Sequence, residues 1–192
     1  KKELNPRSDK KIGIFVCGPT VYDIAHLGHG RSAVAFDIIR RYLLYKGFNV
    51  KYVFNYTDID DKMIHRAKEQ GITVPELAAK IIPEYVADYG ALKIMPSTIE
   101  PRATEHIGQI IDLISQLEAK EAAYVLDDGV YFDIKTFPAY GNLSKQNIDE
   151  LEIGARVEEN KGKRNPQDFV LWKFKKEGEP SWQSPWGEGR PG

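Results

Sequence analysis

The stretch FVCGPTVYDIAHLGHGR, residues 15–31, constrains the fold more than any other part of the chain. It lies between an apolar β-branched run, KIGIFV at 11–16, and a segment where Ala35, Ile38, Ile39, Tyr42 and Leu43 recur at helical spacing before Gly47. The run reads as a buried strand, and the segment as a helix over about 28–46 that is stopped by glycine. A second β-rich run, VKYVFNY at 50–56, completes the order strand, loop, helix, strand. That order predicts a βαβ unit whose parallel strands end on the same sheet edge. Ligands of open α/β sheets bind outside such an edge. That edge carries Cys17 and Gly18 from the first strand and Thr57 and Asp58 from the second, so Cys17, the tetrad His26-Leu27-Gly28-His29 and Thr57 are expected to face one pocket. The tetrad stands at a helix start, where free N–H groups and the positive end of the dipole favour phosphate.

Further along, TDIDDK at 57–62 opens a helix to about Gln70, closed by Gly71. Thr73 and Glu76 form a capping-box pattern around Pro75 and start a helix with Leu77, Ala78, Ile81, Ile82, Tyr85, Val86 and Tyr89 on its apolar side. Pro83 predicts a kink or break inside it. Another amphipathic helix is expected over 102–120, followed by a hairpin over 123–134 that turns at Asp128-Gly129. Helices followed by an antiparallel hairpin depart from simple βαβ repetition. Residues 63–168 accordingly read as an insertion, mostly helical with a β-hairpin, and FVLWKF at 169–174 as the strand that returns to the α/β domain. The Gly-, Pro- and Trp-rich tail at 178–192 reads as loop.

The chain of 192 residues with 42% hydrophobic composition suffices for a packed core, and no apolar run approaches the ~20 residues of a membrane helix. The N-terminal residues 1–11 have no apolar signal core, which points to the cytoplasm. A net charge of −1 gives no global basic signature, so nucleic-acid contact would need a local patch. The basic, aromatic-containing stretch 156–176 is one candidate, and a solvated face around a buried strand is the other reading. The single Cys17 is open to three roles: a small core residue, a reactive thiol or a zinc ligand. Zinc takes four ligands, and the chain offers one cysteine and four histidines without a C-x-x-C or H-E-x-x-H pattern. Asp58, Asp60 and Asp61 suit either magnesium or the capping of the helix that they open.

The strings CGPTVYDIAHLGHGRS, FNYTDIDDK, PRATEHI, YGNLS, GARVE, DFVLWK and SPWGEGRPG, in this order, resemble the N-terminal catalytic region of the cysteinyl-tRNA synthetases, over about residues 12–192. The resemblance implies a Rossmann-type parallel sheet interrupted by a connective insertion. Its parts would be a first βαβ unit at 1–62, the insertion at 63–168, and a return strand and loop at 169–192. It implies ATP-dependent activation of L-cysteine to cysteinyl-adenylate, then transfer to the 3′ end of tRNA(Cys), by a cytoplasmic monomer. Pro19, Thr20, Tyr22, His26, Leu27, Gly28 and His29 match the family's H-I-G-H region, with Leu27 in place of isoleucine. His26 and His29 would stabilise the phosphates of ATP, with Mg2+, as the cysteine carboxylate attacks the α-phosphorus. Gly18 and Thr57 match positions that line the cysteine pocket, and Cys17 matches the first zinc ligand. A zinc–thiolate bond would reject serine far better than an apolar pocket does.

In the family the RPG string leads into a segment with a pocket tryptophan and the second zinc ligand. The remaining ligands and the Lys-Met-Ser-Lys-Ser loop follow later. These lie beyond residue 192, so the isolated chain is expected neither to hold zinc tightly nor to catalyse cysteine-dependent ATP–pyrophosphate exchange. Two other readings stand beside this one: an ATP-dependent ligase that joins cysteine to an amino sugar, and a non-catalytic nucleotide-binding lobe.

Overall fold

The computed structural model describes residues 4–6, 9–145 and 162–192. The GARVE string and the first part of the 156–176 stretch lie outside the described residues. The chain forms two compact units, Lys1–His106 and Ile107–Gly192.

In the first unit, β1 (Lys11–Val16) pairs in parallel with β2 (Asn49–Phe54), in the register Ile12↔Val50 to Val16↔Phe54. They are joined by α1 (Leu27–Tyr45), as the βαβ reading expects. Burial along β1 alternates, however. Val16 is buried while Phe15 is 66% exposed. The expectation of a buried strand is thus corrected: the side of the pleat that carries Lys11, Gly13 and Phe15 is exposed, and β2 is the only strand paired with β1 among the described residues.

The other edge of β2 is covered by residues 98–103, which carry no strand signal because Pro96 and Pro101 interrupt them. Thr98 N donates to Tyr52 O at 2.8 Å, Phe54 N to Ile99 O at 3.1 Å and Tyr56 N to Pro101 O at 2.9 Å. Pro101 needs only to accept here, so its missing N–H costs nothing.

Helix α1 turns Ala33, Asp37 and Arg40 inward, whereas Ile38, Ile39 and Tyr42 are 61%, 48% and 61% exposed. The polar side is buried because the 93–96 loop satisfies it. Arg40 Nη1 donates to Met95 O and Pro96 O at 3.2 and 2.7 Å, Met95 N donates to Asp37 Oδ1 at 3.1 Å, and Arg41 links Asp37 to Lys93 O. Buried charge held this way is expensive to leave half-paired, so the loop and the helix fix each other.

Helix α2 (Asp61–Gln70) is capped by Asp60 and closed by Gly71 in the left-handed region, as expected. Helix α3 (Val74–Ala91) has the Thr73/Glu76 capping box and buries Leu77, Ala78, Ile81, Ile82 and Tyr85. It runs through Pro83 without the expected break. Ala79 and Pro83 are both exposed, so water can take the carbonyl that the proline leaves without a donor.

In the second unit, the helix expected from 102 begins at Ile107 as α4 (Ile107–Ala119), after a 3-10 turn at Ala103–His106. Arg102 is held as a bridge partner of Tyr56, which delays the helix. An antiparallel sheet follows in the order β3 (Ala123–Val125), β4 (Gly129–Phe132), β5 (Phe169–Phe174), β6 (Gly189–Pro191). The 169–174 run, expected to return to the parallel sheet, instead lies between β4 and β6. Gly129, expected in the turn, opens β4: a Cβ there would stand 2.2 Å from Trp172 O, so the close approach of β5 requires glycine. Ile114, Ala123, Val130 and Trp172 form the core.

Asp168, 2% exposed, ties the 162–168 segment to the hairpin by accepting from Tyr124 Oη at 2.6 Å, Ile134 N at 3.0 Å and Asn165 N at 2.9 Å.

Candidate active site

A cavity of about 340 Å³ opens in the first unit at the C-terminal end of β1. Its wall contains Cys17, Gly18, Pro19, Thr20, Tyr22, His26 and His29, with Ser32, Ala33, Phe54, Lys62 and Tyr89. Most of the residues singled out in the sequence are thus brought together. Thr57 is not in the wall. It anchors the signature loop by its backbone, donating from N to Pro19 O at 3.0 Å and accepting from Val21 N at 3.2 Å. Leu27 is 89% exposed and Gly28 stands outside the wall as well.

The loop leaves β1 at Gly18, whose N–H donates to Asn55 Oδ1 at 2.8 Å. A Cβ at Gly18 would lie 1.6 Å from Asn55 O, so no other residue fits without moving the strand edge. Cys17 is exposed, with its Sγ 3.7 Å from Gly18 O. The core reading of this residue is therefore excluded, and its thiol stands at the cavity.

The two histidines cap α1. His26 Nδ1 accepts from Gly28 N at 3.1 Å, and His29 Nδ1 accepts from His26 N at 3.2 Å, a capping box built from imidazoles. A backbone N–H cannot turn away, so each Nδ1 is held as an acceptor and each neutral ring carries its proton on Nε2. The rings stack with centroids 3.8 Å apart. Burial, and then the neighbouring His26, lower the pKa of His29 below the ordinary 6.5. With both Nδ1 atoms accepting, the pair presents two Nε2–H donors at a helix N-terminus, suited to an oxyanion. Gly28 is required beneath them, because a Cβ there would meet His26 Cε1 at 2.9 Å.

Three contributors were not singled out in the sequence. Lys62, at the start of α2, places its ammonium 5.2 Å from the Tyr22 ring and adds a cation to the wall. Tyr85, 1% exposed, lies with its Oη 3.3 Å from His29 Nδ1. Asn55 holds Gly18. The TDIDDK string marked the helix that carries Lys62, but contacts across 56 residues leave no local signal.

Asp58 does not cap α2; it is buried and accepts from Thr104 N at 3.0 Å and Thr104 Oγ1 at 2.5 Å. Asp60 accepts from Lys62 N at 2.7 Å. These carboxylates serve structure, and no group of three or more His, Cys, Asp or Glu side chains among the described residues is arranged to hold a metal. Cys17 is one donor where zinc takes four, so these residues do not form a zinc site by themselves. No helix among the described residues is long and apolar enough to cross a membrane.

Residues 3–192 match the model of the class I (C) tRNA synthetase catalytic domain. Over the whole chain, the sequence is 54% identical to the cysteine–tRNA ligase of Pyrococcus furiosus, 52% to that of Desulfitobacterium hafniense and 55% to that of Shigella boydii. The chain spans 40% of the length of the first two and 44% of the third. With the family's match covering nearly every residue, the chain belongs to the class I (C) tRNA synthetase catalytic domains.

Proposed function

We propose that the protein carrying this chain is a cysteine–tRNA ligase that works as a monomer in the cytoplasm. The carboxylate oxygen of L-cysteine attacks the α-phosphorus of Mg2+-bound ATP, pyrophosphate leaves, and cysteinyl-adenylate forms. The cysteinyl group then passes to a ribose hydroxyl at the 3′ end of tRNA(Cys), with release of AMP. Such chemistry needs no protein nucleophile; alignment and stabilisation of developing charge carry it.

His26 and His29 are the catalytic pair in this reading, and the observation that supports it best is their shared tautomer at one helix N-terminus, beside Cys17. Their Nε2–H groups would donate to phosphate oxygens as negative charge shifts toward the leaving pyrophosphate. Pro19, Thr20 and Tyr22, with Leu27 and Gly28 of the tetrad, would form the ATP subsite, and Gly18 and Thr57 would bound the cysteine subsite. Cys17 would offer one thiolate to a zinc ion, whose chemistry when bound is to hold the substrate thiolate in preference to a hydroxyl. The parallel strands β1 and β2 are taken as the opening of a Rossmann-type sheet, with a connective insertion that begins after residue 62.

The test is ATP–pyrophosphate exchange by the full-length protein with cysteine, serine or no amino acid, followed by transfer to tRNA or to an amino sugar. Exchange that requires cysteine, falls at least about a hundredfold in His29→Ala and continues to tRNA is expected. Exchange without cysteine, or transfer to the sugar alone, would overturn the reading.

A further inference from the structure

Tyr85 is buried to 1% exposure on α3, yet its hydroxyl reaches one polar atom that matters to the site, His29 Nδ1 at 3.3 Å. Its ring meets the imidazole edge-on, with centroids 5.4 Å apart. The backbone N–H of His26 already donates to the same Nδ1 at 3.2 Å and cannot act as an acceptor. With Nδ1 committed as an acceptor, the phenol must donate. Burial pushes the Tyr85 phenol up to about 12, so it keeps its proton at any working pH.

We propose that Tyr85 is a positioning residue for the adenylation reaction: its O–H shares the Nδ1 lone pair with the His26 N–H, reinforces the neutral Nε2–H tautomer that this N–H favours, and fixes the plane of the ring. Outer partners set tautomers of metal-bound and catalytic imidazoles in the same way. Loss of this bond leaves the long contact from His26 as the only tautomer-setting interaction. The ring is then freer to turn and to place its proton on Nδ1, where it cannot serve a phosphate at Nε2. Because Tyr85 is buried and does not line the cavity, the loss acts on turnover and leaves ground-state affinity for ATP nearly unchanged.

This inference rests on the adenylation reading for its kinetic arm only. The experiment takes the full-length protein, 15N-labelled at histidine, and compares wild type with Tyr85→Phe, which keeps the ring and removes the hydroxyl. His29→Gln assigns the resonances, and Tyr89→Phe controls for loss of a neighbouring tyrosine hydroxyl. In wild type at pH 8, the two His29 nitrogens should show the widely separated shifts of a pure Nε2–H tautomer. In Tyr85→Phe the two shifts should move toward each other, while Tyr89→Phe leaves them in place. The kcat of cysteine-dependent exchange should fall about three- to tenfold in Tyr85→Phe, the effect of one hydrogen bond, with KM for ATP within about twofold. An Nδ1–H pattern in wild type, or unchanged shifts in Tyr85→Phe, would overturn the proposal, and the first of these needs no variant to fold. Inactive wild type with the expected shifts would instead count against the adenylation reading, and leave only the hold of Tyr85 on the His29 tautomer.

Discussion

Replacing Gly28 by alanine should separate stability from activity in this protein. The added Cβ would stand 2.9 Å from His26 Cε1 and 3.1 Å from its Nδ1, too close for the imidazole to stay across the first turn of α1. The neighbour is a side-chain ring rather than backbone, so the ring swings away and the helix stays. What is lost is the cap, in which His26 Nδ1 accepts from Gly28 N, and losing an N-cap costs about 1 kcal/mol. Against this, alanine restricts the unfolded chain and suits the helix better, which returns about 0.4–1 kcal/mol. The two nearly cancel, and the midpoint of urea unfolding followed by circular dichroism should correspond to a change within about 1 kcal/mol. Activity has no such offset. The His26 ring leaves the cavity and its stack on His29, and removal of one donor to developing charge typically costs about a hundredfold or more in kcat. The assay is cysteine-dependent exchange by the full-length protein at saturating ATP. An alanine variant with unchanged kcat would refute the placement of His26, and a loss of more than about 2 kcal/mol in stability would refute the claim that only a side chain must move.

Gly18→Ala should behave in the opposite way. Its Cβ would meet the backbone O of Asn55 at 1.6 Å, so strand and loop must part, and urea unfolding should show a loss of about 3 kcal/mol or more. Asp168→Ala should cost about 3–4 kcal/mol by the same measurement, because the phenol of Tyr124 and the N–H groups of Ile134 and Asn165 lose their buried acceptor. His29 gives a pH dependence of defined sign. Its pKa is lowered in the folded state, so the unfolded chain binds the proton more readily and stability rises with pH across that window. The contribution is present above the ordinary value of 6.5 and is lost as pH falls below it, so His29→Gln should flatten that part of a stability–pH curve.

The order of elements was legible because each left a local mark. β-branched runs marked the parallel strands, Gly71 and the Thr73/Glu76 pair marked helix ends, and the tetrad marked the start of α1. The third strip of the parallel sheet was not legible, since its backbone pairing with β2 is satisfied around two prolines that break any strand pattern. Nor was the inward side of α1. Its apolar residues suggested one face, but the loop at 93–96 supplies carbonyls and an N–H to Arg40 and Asp37, and the polar face is buried instead. Pairing of 169–174 with β4 was hidden for a similar reason, because an apolar run does not name its neighbour.

The sequence alone determined that a cysteine, a glycine turn and two histidines lie where a strand gives way to a helix, because strand ends and helix starts are set by contacts within a few residues. Only the tertiary structure decided which nitrogen of each imidazole faces the backbone, that the backbone of Thr57 anchors the signature loop, and that Tyr85 and Lys62 come close to the histidines and the cavity. Those outcomes depend on hydrogen bonds and contacts between groups far apart in the chain, whose distances and directions exist only after folding.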